Sequence, residues 1–345
     1  MTIPENMRAL VLKESGFATD APSESLESLD PFVTEETIQT PTPRRGEVVV
    51  RVRMAPFNPS DVAFIRGVYG LPRVAGTPAG FEGVGDVVSS GGGLMANRLV
   101  GKRVAFYAGV SGSWAQYAVS EARACIPLRS AVSDENGAAL LVNPFSAWAM
   151  QDIVRQEGAK AFVMTAGASQ LGKLVVALAE DEGYRPISIV RRQEQIEPLK
   201  RLGAAHVLNS EAPDFADALK SVLDEERPRI LLDAMSGPFA ESVFSAMGPR
   251  SRWIVYGGLD LRPAPVPGPD QLIFQSKRIE GFWLTSWMQS SSTIRLLQAS
   301  RGVQARFASG AWNTDVAAVV PIAEAHSRVP AYLAGANQGK VMLTP

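Results

Sequence analysis

The stretch Thr165-Ala166-Gly167-Ala168-Ser169-Gln170-Leu171-Gly172 follows a short apolar run and opens a longer amphipathic one. Small residues between a strand and a helix let backbone amides approach a pyrophosphate, with the positive end of the helix behind it. Only two glycines, Gly167 and Gly172, stand in this turn. It therefore reads either as a dinucleotide-binding turn or as a tight connection in a parallel sheet. Ser169 suits both, because its hydroxyl can cap the helix and also meet a phosphate. Arg191 and Arg192 follow nineteen and twenty residues beyond Gly172, at the end of a second apolar run. An acid at that place holds the ribose 2′-hydroxyl of NAD, whereas arginine accommodates the 2′-phosphate of NADP. The pair favours NADPH over NADH.

Few other residues can do chemistry. Cys125 is the only cysteine, and it precedes Ile126-Pro127 in a predicted linker strand, which excludes an internal disulfide and a multi-cysteine zinc site. The only histidines are His206, at the start of a strand, and His326, placed near the carboxyl end of a helical stretch at the surface. A His-rich metal site is improbable, and no metal is expected. With 34 basic and 35 acidic side chains the net charge is −1, so no field favours nucleic acid or an anionic membrane. No apolar stretch reaches the roughly 18 residues of a membrane span. No basic-then-apolar leader opens the chain, which predicts a cytoplasmic protein.

The elements that must position these residues fall into two textures. Arg8 to Lys13 and Glu47 to Met54 are predicted strands, the second by alternation of valine with charge. Between them, Glu14 to Pro43 carries seven acids and no Lys or Arg. It reads as a solvated excursion, with Ser25 to Leu29 as one short surface helix. Glycines then punctuate short apolar runs as far as Gly112, the texture of a small barrel-like β domain. From Phe145 onward the pattern changes. Strands at Ala161–Thr165, Pro186–Arg191, His206–Leu208, Arg229–Asp233 and Trp253–Tyr256 alternate with helices at Ser169–Asp181, Gln195–Leu202, Asp214–Glu225 and Phe239–Met247. That alternation predicts an α/β, doubly wound parallel sheet of Rossmann type. A helical pattern and a strand at Lys340–Leu343 close the chain.

Several motifs occur in a fixed order: Asn58-Pro59-Ser60-Asp61, Gly67-Val68-Tyr69, Gly80-Phe81-Glu82-Gly83-Val84-Gly85 and Val142-Asn143-Pro144. Leu202-Gly203-Ala204-Ala205-His206-Val207, Tyr256-Gly257-Gly258, Gly281-Phe282-Trp283-Leu284-Thr285-Ser286-Trp287 and Gly339-Lys340-Val341 follow. In these the chain resembles the medium-chain dehydrogenase/reductase superfamily, in its zinc-free quinone oxidoreductase and 2-enoyl thioester reductase branches. The Phe-Trp-Leu-Thr-Ser-Trp and Gly-Val-Tyr stretches are most similar to the mitochondrial-type enoyl thioester reductases. The zinc-dependent branch carries a cysteine near Asn58 and Gly-His-Glu where this chain has Gly80-Phe81-Glu82. Neither ligand is present, nor is a four-cysteine lobe.

The resemblance implies a GroES-like β-rich catalytic domain made from residues 1–142 and 287–345, with a Rossmann NADP-binding domain at 143–286 inserted between. It implies Tyr69 and Asn58 as catalytic residues, with Tyr69 donating to the substrate carbonyl. A phenol that ordinarily ionises near pH 10 can donate at neutral pH. It places Asn143, Ala168, Ser169, Gln170, Leu171, Arg191, Arg192, Tyr256, Gly257, Gly258, Phe282, Trp283 and Lys340 at the cofactor, and Trp287 along the substrate. A homodimer formed through the Rossmann sheet edge is implied as well. The activity to expect is reduction by NADPH of the conjugated C=C of an enoyl thioester or enone. The alternatives are an NADPH:quinone oxidoreductase and, from another class, an NADPH-binding protein without turnover. A short-chain reductase is disfavoured, because no tyrosine begins a Tyr-x-x-x-Lys. Gln170 stands where relatives usually carry glycine, and the acidic excursion is longer than expected.

Overall fold

The structure, a computed structural model, describes residues 3–19, 26–334 and 339–345. The chain forms two compact units, one from residues 1–142 and 302–345 and the other from 143–301. The chain thus returns to the first unit at Gly302, fifteen residues later than the boundary at 287 expected from the sequence. The helix Leu284–Ser290 and the first half of the helix Thr293–Ser309 belong to the second unit.

The first unit is built on a seven-stranded sheet. Its order is Val316–Pro321, Lys340–Thr344, Glu47–Phe57, Glu82–Ser90, Arg103–Tyr107 and Cys125–Pro127, with Tyr117–Glu121 also pairing Glu47–Phe57. The last strand of the chain lies antiparallel against Ala55–Phe57, so residues almost three hundred positions apart share one ladder. The acidic segment is not the solvated excursion that its charge suggested. Val33–Gln39 is a strand paired antiparallel, residue for residue, with Asn6–Leu12. Leu29 and Val33 are fully buried in the core with Leu10, Phe57 and Trp114. Glu35, Glu36 and Thr37 in the middle of that strand are exposed, and burial is confined to its start at Val33 and, in part, to Ile38. Leu26 to Leu29 is not helical, and the start of the helix expected at Ser25 lies outside the described residues.

The second unit holds a six-stranded parallel sheet in the order His206–Asn209, Arg185–Val190, Ala161–Met164, Ile230–Asp233, Arg252–Val255 and Arg278–Gly281. Its two central strands are buried at every position, as helices on both faces require. The chain starts in the middle, runs out to one side and then to the other. The order therefore reverses between Ala161–Met164 and Ile230–Asp233. In open sheets of this kind ligands bind at the carboxyl ends of the strands beside such a switch point. The edge strand Arg278–Gly281 was missed from the sequence, being four residues long and mostly exposed. No helix among the described residues is long and apolar enough to cross a membrane.

Candidate active site

In the second unit most of the expected cofactor residues follow the carboxyl ends of adjacent parallel strands. The turn after Ala161–Met164 carries Ala168 and Ser169, half-buried, and leads into the helix Gln170–Asp181, where Gln170 and Leu171 form the first turn. Ser169 caps this helix, its Oγ accepting the Gly172 amide at 3.1 Å. The other first-turn amides of such a helix have no intrahelical acceptor and face outward to an anion. A Cβ at Gly172 would come within 2.3 Å of the Gly167 carbonyl oxygen, so the helix presses onto the turn as only glycine allows. Ala166 holds a left-handed φ of 50°, which few non-glycine residues adopt outside constrained turns.

Arg191 and Arg192 leave the strand Arg185–Val190 and are exposed. Arg192 reaches Glu194 at 3.2 Å, a solvated pair of little energetic weight. Tyr256, Gly257 and Gly258 follow Arg252–Val255. A Cβ on Gly257 would meet the Ala234 carbonyl oxygen at 2.7 Å, so the loops after two neighbouring strands lie backbone to backbone there. The Tyr256 phenol is buried without a hydrogen-bond partner, and burial pushes its pKa up, with the Asp233 charge adding to the rise. Phe282 and Trp283 follow Arg278–Gly281, the Phe282 amide donating to the Val255 carbonyl at 2.8 Å. Trp287 lies in the next helix with the Arg295 guanidinium 5.3 Å from its ring and its indole N–H buried and unpartnered. Asn143 stands half-buried in the first turn of the helix Val142–Glu157.

One residue at the switch point escaped the sequence analysis. Asp233, fully buried, accepts from the Thr165 hydroxyl at 2.6 Å, the Met235 and Ser236 amides at 2.9 Å each, and the Trp253 indole at 2.8 Å. It fixes the loop after its own strand to Thr165, at the start of the turn that follows Ala161–Met164. The signal was an acid closing an otherwise apolar strand, Ile230-Leu231-Leu232-Asp233, since a buried acid must find hydrogen-bond donors.

In the first unit Tyr69 follows the helix Pro59–Ile65 and the turn at Gly67, where φ is +75°. There a Cβ would meet the Ala18 amide at 2.6 Å and the Arg73 guanidinium at 2.7 Å. Arg73, almost fully buried, donates to the carbonyls of Ile65 and Gly16 at 3.1 Å each and pairs with Glu14 at 2.9 Å. The start of the acidic segment is therefore part of the wall that fixes Tyr69. The Tyr69 ring packs against Phe81 at 5.1 Å and edge-on to Phe64 at 6.5 Å, and Tyr107 stacks on Phe81 at 6.0 Å. Burial, helped by Tyr69 and the Asp61 charge, raises the Tyr107 phenol to about 12.

Asn58 and Lys340, expected among the catalytic and the cofactor residues, meet inside the first unit. Both are buried, and the Lys340 Nζ donates to the Asn58 Oδ1. Asn58 in turn donates to Glu82 at 2.9 Å. Among the described residues one group of metal-type ligands converges, His206 with Glu225 and Glu226, in the second unit. Glu226 is already engaged there by His206 at 2.7 Å and by Arg185. His326 lies not near the carboxyl end of a helix as expected but in the first turn of Ala325–Ala334, 2.6 Å from Asp30. Cys125 is buried in its strand, its thiol pushed up to about 11 by burial, which makes it a poor nucleophile.

Residues 44–130 match the alcohol dehydrogenase GroES-like domain, and residues 170–299 match the zinc-binding dehydrogenase family. The mitochondrial enoyl-[acyl-carrier-protein] reductase of Bos taurus is 30% identical over 252 residues, covering 72% of this chain and 67% of its own. A Mesorhizobium loti protein, described as a candidate NADPH:quinone reductase, has a crystal structure that superposes with a TM-score of 0.95. It is 54% identical over 100% of both chains. The Candida tropicalis enoyl thioester reductase superposes at a TM-score of 0.77 with 20% identity over 99% of this chain and 100% of its own, which shows the fold alone. The chain is an oxidoreductase of the medium-chain dehydrogenase/reductase superfamily and belongs to its quinone reductase and enoyl thioester reductase branch.

Proposed function

We propose that the protein is an NADPH-dependent reductase of an activated C=C bond, in an enoyl thioester or an enone. The observation that carries the reading is Tyr69, a phenol supported by Phe64 and Phe81 and fixed by the Gly67–Arg73 turn. NADPH fits the second unit, whose phosphate turn has no room for a Cβ at Gly172 and whose next strand ends in two exposed arginines. When bound it supplies the hydride that the β-carbon receives. Ser169 and the first helical turn hold the pyrophosphate, and Arg191 with Arg192 holds the 2′-phosphate. Gly258, where a Cβ would meet nothing within 4 Å, leaves the strand end open to the cofactor. Tyr69 donates a hydrogen bond to the substrate carbonyl oxygen, where negative charge builds as the β-carbon is reduced. The 30% identical enoyl reductases support the thioester as substrate.

The quinone reading keeps its place because of the description of the Mesorhizobium loti protein. Mixing the protein with NADPH and a crotonyl thioester, an enone or a quinone, and following loss of the reduced nicotinamide absorbance, separates the readings. A quinone as sole substrate would overturn the C=C assignment, and no turnover with any of the three would leave a binding protein.

The reading is metal-free, since Phe81 has no ligand atom and the Asn58 amide is committed to Glu82 and Lys340. A zinc required for turnover after dialysis against chelator would contradict it. A single buried cysteine and no disulfide suit the reducing cytoplasm, where fractionation should find the protein. The open edge Arg278–Gly281, with exposed Ile273, Phe274 and Ile279, suits pairing with a second copy. Light scattering should give a dimer, and a monomer at micromolar concentration would remove that assignment.

A further inference from the structure

Four distant segments of the first unit meet at one buried polar point. Asp61, in the helix Pro59–Ile65, accepts the Asn58 amide at 2.8 Å and the Phe81 amide at 3.0 Å. Glu82, at the start of its strand, accepts the Asn58 side chain at 2.9 Å on one oxygen. Its other oxygen accepts two consecutive backbone amides, Leu141 at 2.9 Å and Val142 at 3.0 Å. These are the last residues before the chain leaves the first unit. Lys340, the first residue of the closing strand, binds the free face of the Asn58 amide. All four side chains are 7% exposed or less.

Two buried carboxylates without a cation are strongly disfavoured, and removing one partner of such a set leaves an uncompensated charge. The chain supplies a single ammonium, delivered from the other end of the sequence. Asp61 also holds the backbone of Phe81, the ring on which Tyr69 rests. The network therefore ties together the platform of Tyr69, the exit of the chain at Leu141–Val142 and the closing strand that starts at Lys340.

We infer that Lys340 is the internal counter-ion of the buried Asp61 and Glu82 carboxylates, and that Lys340 and Asn58 are positioning residues acting through Phe81 and Leu141–Val142. The charged and titratable groups facing one another here are Asp61, Glu82 and Lys340, with the Tyr107 phenol facing Asp61. Burial pushes Asp61 up to about 7 and also raises Glu82, while the ammonium opposes the rise of both. A raised carboxylate contributes stability below its folded-state pKa and loses it as pH rises. Without the ammonium that loss deepens.

The test is thermal unfolding of the full chain, without cofactor or substrate, from about pH 5 to about pH 8. Lys340→Met should lower Tm by about 10 °C at the upper end, and by much less at the lower end, where the carboxylates take up protons. Glu82→Gln combined with Lys340→Met removes one negative charge along with the positive one, and should recover at least about half of the lost Tm. A Tm deficit independent of pH, or a double variant no more stable than the single one, would mean that Lys340 only packs. If Lys340→Met does not fold, the double variant decides alone, and its failure to fold overturns the inference. Every readout is independent of catalysis, so it stands or falls apart from the reductase assignment.

Discussion

The two units handle charge in opposite ways. In the first, Asp61, Glu82 and Lys340 are sealed from water and spend their bonding on Asn58 and on backbone amides. In the second, Arg191 and Arg192 stand exposed beyond a strand end, with only a solvated contact to Glu194. A sealed charge acts on stability, because any change strands a partner in low dielectric. An exposed charge costs little to keep and remains available to an arriving phosphate. On the proposed function, the contrast separates residues that hold the site from residues that recognise the cofactor.

The sharpest way to break this contrast is Glu82→Ala. It orphans the Leu141 and Val142 amides and leaves the Asn58–Lys340 pair without its carboxylate, so we predict a loss of about 3–5 kcal/mol, read from denaturant unfolding. The NADPH-to-NADH preference should not move. Next in size, replacing Arg191 and Arg192 together by alanine should cost about 1.5–3 kcal/mol of NADPH binding relative to NADH, read from the two Michaelis constants. Here the unfolding midpoint should not move. A reversed pattern, with the arginines setting stability or Glu82 setting cofactor choice, would dissolve the contrast.

An intermediate case lies in the second unit, where Glu226 is mostly buried but its partner Arg185 is half exposed. The Arg185 hydrogen bond, with His206 helping, holds the Glu226 carboxyl down at about 2. A depressed carboxylate contributes stability above its unfolded pKa, and loses it as pH falls toward the folded value. Glu226→Gln should therefore cost about 1–2 kcal/mol at neutral pH, discounted for the exposed partner, and nothing near pH 2. An equal cost at both ends would show that Glu226 acts by packing.

Much of this was legible beforehand, for reasons that differ by region. The Rossmann alternation was visible because central strands such as Ala161–Met164 and Ile230–Asp233 are apolar throughout. The turn before Gln170–Asp181 and the paired arginines after Arg185–Val190 are local in sequence, so spacing placed each at its strand end. The strand Val33–Gln39 was hidden because its Thr-Glu-Glu-Thr run looks like a solvated stretch, while its anchors, Leu29, Phe32, Val33 and Ile38, show no period of two. The network at Asn58 was invisible for a deeper reason. Asn58 and Lys340 are 282 positions apart, and a buried charge has the same letter as an exposed one. Family resemblance marked both residues as important, but only the fold shows what each one touches.

Tyr69→Phe tests the proposed role of Tyr69 in polarising the substrate carbonyl most directly, because it keeps the ring against Phe64 and Phe81 while removing the donor. With chemistry rate-limiting on the best enoyl thioester or enone, turnover should fall about 10²-fold, while NADPH affinity stays within about twofold. Undiminished turnover would contradict the account.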